Sequence, residues 1–132
     1  MNYYAYMDYR NVLEKSKMNL YDAKEGFVKG TIFKTLYDPY KNYLPKEPVA
    51  MTEKGKSMLE VQMYYAALHD LGLYLDVFPN DANILRLRNE MIEKYEKALK
   101  SYEEKYGAIE CVASKKVPYN WSTTSWPWEG NK

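Results

Sequence analysis

Hydrophobic positions repeat with helical spacing in two neighbouring stretches, and the two repeats differ in kind. From 57 to 78 apolar residues (Leu59, Val61, Met63, Leu68, Leu71, Tyr74, Leu75 and Phe78 among them) cover most of a helical wheel. Only a strip holding Gln62, Tyr65, His69, Gly72 and Asp76 stays less apolar. From 82 to 106 the pattern is ordinary: Ile84, Met91, Tyr95, Ala98, Leu99 and Tyr102 share one face, and Glu90, Lys94, Lys97 and Glu104 occupy the other. The second stretch needs one neighbour. The first needs more than one, because a helix apolar nearly all round must be covered on several sides.

Terminating residues frame both repeats. Ser57 followed by Glu60 has the spacing of a capping box and predicts a helix from there to about Phe78. Pro79 and Asn80 break it, Asp81 is placed to cap the next helix, and Gly107 after Tyr106 is placed to end it. Upstream, Asp22 with Glu25 and then Gly30 predict a two-turn helix near 23–29. Asp38-Pro39 and Pro45 enforce extended or turn backbone beyond it. The expected fold is all-α, an antiparallel helical hairpin with a short N-terminal helix and extended aromatic, proline-rich tails. Five segments follow: a tyrosine-rich lead (1–20), the segment with the short helix (21–44), a linker (45–56), the hairpin (57–107) and a Trp/Pro-rich tail (108–132).

Two charges interrupt the apolar arcs. Asp70 falls inside that of the first hairpin helix, Arg88 inside that of the second, and both stand nearly the same distance from the loop. An antiparallel hairpin brings them opposite each other, so a partly buried Asp70–Arg88 pair is expected to fix the register. The alternatives are that either side chain reaches water, or that Asp70 meets a group on a partner.

The tail, VPYNWSTTSWPWEGNK, raises the question of cover again. Trp121, Trp126 and Trp128, with Tyr119 and the stiffening Pro127, are costly to leave in water and have no periodicity to form a core of their own. Either the tail folds back on the first hairpin helix, or these residues and Tyr64, Leu68 and Leu75 of that helix are anchors for a partner. One hairpin offers too little surface to bury everything, so the fold is expected to be completed by oligomerisation or by another protein.

Composition narrows the function. Charged residues are 28% and the formal net charge is +1, which gives no electrostatic footprint for nucleic acid or an anionic membrane. MNYYAYMDYR contains no apolar signal core, and the longest uncharged apolar run, at 63–68, is too short to span a bilayer. Synthesis in a cytoplasm is expected. The lone Cys111 excludes an intrachain disulfide and leaves a packing role or a cross-link to another chain. The lone His69 has Ala66 three residues before it, not Glu, so a helical Glu-x-x-His metal site is excluded. With no phosphate loop either, neither catalysis nor a cofactor is expected. Fifteen tyrosines remain to be explained. Those clustered at Tyr3, Tyr4, Tyr6 and Tyr9, and again at 37, 40 and 43, either pack with the hydroxyl in water or serve as cross-linking positions alongside Cys111.

Three short motifs then carry a family resemblance. ALHDLGLYLDVFPND (67–81), KYG (105–107) and the terminal WPWEG resemble, in order and spacing, the CotJB family of bacterial spore coat proteins over about 57–129. EGFVKGTIFKTLYDPY (25–40) resembles the core of the CotJA family over about 20–44, so the chain looks like a fusion of the two. The resemblance implies a non-enzymatic component of the endospore coat, made in the mother-cell cytoplasm and not secreted. It also implies association with a third coat protein, CotJC, whose relatives are manganese catalases and which would own the metal. Adaptor, modulator of that partner, and substrate for oxidative cross-linking all fit this setting.

Overall fold

In the computed structural model, residues 19–34, 36, 42, 44–117, 119, 121 and 126 are described. Three helices organise them: α1 (Ala23–Lys29), α2 (Glu53–Val77) and α3 (Ala82–Tyr106), with a 3₁₀ turn at Cys111–Ala113. α2 and α3 form the antiparallel hairpin, and α1 lies against a second side of α2. The fold is all-α among the described residues, apart from one isolated antiparallel bridge between Leu20 and Phe33.

Local chemistry accounts for the ends. The Asp22 carboxylate accepts from Glu25 N at 2.8 Å, and Gly30 closes α1 at φ 88°, a left-handed conformation that suits glycine. Asp81 Oδ1 accepts from Asn83 N and Ile84 N at the start of α3, each at 3.2 Å. Gly107, at φ 101°, ends α3 and donates its N–H to Glu103 O.

The start of α2 corrects the sequence reading. Ser57 and Glu60 do not cap it; both lie inside the helix, which begins four residues earlier. Thr52 is the cap, its hydroxyl accepting from Gly55 N at 3.0 Å. Thr52 offers the same chemistry one turn upstream, Glu53 adds a first-turn carboxylate, and Glu53 pairs with Lys56. Gly55, inside the expected linker, is buried within the first turn. The linker is shorter by these residues.

Two apolar clusters fill the fold. Near the hairpin loop, Ile32 and Phe33 join Ala67, Leu71, Tyr74 and Ile84, and Leu71 is 1% exposed. At the open end, Met58 and Val61 of α2 meet Ala98 and Tyr102 of α3, flanked by Tyr64, Tyr95, Leu99, Tyr106 and Ile109. The chain on either side of α1 is zipped by Tyr21 N donating to Ile32 O (2.8 Å) and Lys34 N to Asn19 O (3.1 Å). That zipper presses Ile32 onto α1 so closely that a Cβ at Gly26 would stand 2.6 Å from Ile32 Cγ2. The short N-terminal helix is therefore one of the neighbours that the apolar α2 required.

Candidate interaction surface

Asp70 points to the N-terminal segment. Its Oδ2 accepts from Ile32 N at 2.9 Å and from Thr31 Oγ1 at 3.2 Å. Thr31, itself buried, also accepts from Phe33 N at 3.3 Å. The expected Asp70–Arg88 pair does not form: the ion pairs among the described residues are Lys24–Glu47, Lys29–Glu25 and Lys56–Glu53. The physical reason is competition. A backbone N–H and a hydroxyl, held together by the turn after α1, satisfy a half-buried carboxylate without a second charge being taken from water. Sequence patterning marked Asp70 as anomalous and sought its partner on Arg88, in water or on another protein; Thr31, in the GTIF run, was missed.

A second clamp ties the loop. Tyr74 Oη donates to Asp81 Oδ2 at 2.9 Å, so the residue capping α3 is also held by the last turns of α2. The Tyr74 ring stacks on Phe33 (centroids 5.9 Å apart) and lies against Phe78 (4.9 Å).

With these clamps in place, the anchors expected on α2 divide. Tyr64 and Leu75 are partly buried against the chain's own two clusters, and Leu68 is half-buried. Exposed instead are Tyr65 (60%), His69, Leu73 (55%), Asp76 and Val77, which lie along the outer side of α2. Tyr65 touches the ring of Tyr95 on α3 at 5.8 Å. Burial raises the phenols of Tyr95 and Tyr102 above the ordinary range, Glu110, Tyr65 and Glu103 adding to the effect at Tyr95.

The tail begins by packing Ile109 at the open end, with Ile109 N donating to Glu103 Oε1 at 3.2 Å. Farther on it turns outward. Val112, Val117 (98%), Tyr119 and Trp126 (50%) are exposed, and Trp126 meets Trp121 edge-to-face at 6.3 Å. Two of the three indoles therefore shelter each other in part. Cys111 is exposed and its sulfur lies 3.2 Å from Tyr119 Oη, a contact that, with some burial, raises the Tyr119 phenol. Pro127 and Trp128, and the tyrosines Tyr3, Tyr4, Tyr6 and Tyr9, lie outside the described residues.

Chemically, this surface is suited to contact. Among the described residues no group of three His, Cys, Asp or Glu side chains could hold a metal ion, and no helix is long and apolar enough to cross a membrane. What is presented is aromatic and aliphatic area with scattered polar atoms, the composition of interface hot spots.

Comparison with known proteins agrees with the motifs. The family model described as CotJB protein matches residues 55–129, and that of the spore coat associated protein JA (CotJA) matches residues 16–40. No curated protein and no solved structure matches the chain.

Proposed function

The chain belongs to the CotJB family, and from that premise we propose that it is a structural adaptor of the bacterial endospore coat. It docks on a manganese-catalase-like coat protein of the CotJC kind and helps assemble that partner into the coat. The CotJA match supports the setting, because the name of that family places its members at the spore coat. The observation that carries the docking role is the outward-facing tail, where Val117, Tyr119 and Trp126 stand exposed on a chain whose own clusters are already filled. Exposed apolar area of this kind marks a surface for another molecule. The tail aromatics supply the anchors, and the metal chemistry is the partner's.

The test is co-expression with the manganese-catalase-like coat protein, followed by affinity capture and native mass determination. A stoichiometric complex is expected, and Trp121→Ala with Trp126→Ala should weaken it at least tenfold, a loss of about 1.4 kcal/mol or more. Recovery of the two proteins separately would end the adaptor role. Peroxide turnover of the partner, measured with and without the chain, separates a modulator from a scaffold.

A further inference from the structure

Gly26 and Gly72 both sit inside helices, where glycine costs roughly 1 kcal/mol relative to alanine. Gly26 has a visible reason, since any Cβ there would collide with Ile32. Gly72, near the middle of the outer side of α2, has none within the described chain: a Cβ built on it meets nothing within 4 Å. Exposed Leu73 stands beside it, and exposed His69 and Asp76 lie one turn before and one turn after.

The order of these residues is symmetric. His69 and Asp76 are equally far from the point between Gly72 and Leu73. They are two helical turns apart, about 10 Å along the axis, too far to bond each other within one helix. Neither makes a hydrogen bond or ion pair with another described residue. An antiparallel α2 from a second copy, related by a two-fold axis through that point, changes this. His69 of each copy then faces Asp76 of the other, so one opposite pair is satisfied twice. Gly72 meets its own equivalent, letting the two backbones come close, and Leu73 packs on Leu73 beside them. Such a self-complementary patch is what an isologous dimer requires.

We propose that the outer side of α2, centred on Gly72, is a homodimer interface in which His69 and Asp76 pair across the two-fold axis. It is separate from the tail surface and does not depend on the coat partner.

Sedimentation equilibrium of the purified full-length chain tests it. At about 100 µM a micromolar dimer is nearly saturated, so a mass twice that of the 15.6 kDa chain is expected. Gly72→Leu should weaken association at least tenfold while circular dichroism shows unchanged or greater helix content, because leucine favours a helix more than glycine does. His69→Asp alone and Asp76→His alone should each weaken the dimer, and the double variant should restore it. A monomeric wild type, a dimer indifferent to Gly72→Leu, or a double variant no better than the singles overturns the proposal. Cover of Gly72 by the chain's own tail, or by a different protein, would appear as the first of these results.

Discussion

The two ends of the hairpin are held together by different means. At the loop end three segments converge, and polar clamps cross between them: Asp70 to Ile32 and Thr31, and Tyr74 to Asp81. The apolar cluster there is Ile32, Phe33, Ala67, Leu71, Tyr74 and Ile84. At the open end two helices meet through Met58, Val61, Ala98 and Tyr102, with tyrosines and Ile109 around them. There the following segment is tied by Ile109 N donating to the Glu103 side chain, beside the backbone bond from Gly107 N to Glu103 O that ends α3. Apolar contact is non-directional, whereas a buried hydrogen bond leaves a costly orphan if it slips. Geometry is thus specified at the loop end and tolerated at the open end, which is where the chain departs toward its exposed tail.

Removing the centre of the loop end should produce the largest effect. Leu71→Ala takes out the most fully buried large side chain, and such truncations cost about 2–5 kcal/mol. Urea unfolding followed by circular dichroism measures this. A cost below about 1 kcal/mol would show that the loop end is no firmer than the open end.

The clamp comes next in size. Asp70→Ala leaves the Ile32 N–H and the Thr31 hydroxyl without their acceptor in a buried place, for about 2–3 kcal/mol. Arg88 is half-buried and makes no ion pair with a described residue, so Arg88→Ala removes only packing by its stem and should cost less, about 1 kcal/mol or below. The two variants separate the observed clamp from the ion pair that the helical wheel suggested. Amide exchange at Ile32 should quicken in Asp70→Ala ahead of exchange at Ala98. Equal losses in the two substitutions would contradict the clamp.

The same contrast explains what was legible in the sequence. The helical hairpin, the short helix and its bounds followed from periodicity and from Asp22, Gly30, Asp81 and Gly107, because capping is local chemistry. The start of α2 was misplaced for a local reason as well: two hydroxyl residues, Thr52 and Ser57, offer the same capping chemistry, and a glycine stands between them in the first turn. The need of α2 for several neighbours was visible in its all-round apolarity, but not which segment would supply them. That lies in a contact between Asp70 and the turn at Thr31 and Ile32, nearly forty residues away, and wheel diagrams of single helices carry no such information. The less apolar strip was legible, since Tyr65, His69 and Asp76 are exposed, but nothing in a helical wheel tells solvent from a second copy.

The smallest effect concerns the open end alone, through its tyrosines. Burial raises the phenols of Tyr95 and Tyr102 in the folded chain. Below the ordinary phenol value of about 10, folded and unfolded states hold these protons equally and contribute no pH dependence. Above it the unfolded chain releases them first, the folded state binds more protons, and stability falls as pH rises toward the elevated folded values. Urea unfolding between pH 8 and 11 should therefore show a decline, and replacing both tyrosines with phenylalanine should make it shallower. Tyr102 is buried but Tyr95 is only half-buried, and the range ends little above the ordinary phenol value, so the change should be smaller than either substitution at the loop end. An unaltered slope in the double phenylalanine variant would mean that the open end is already wet, and would put the firm core of the molecule at the loop alone.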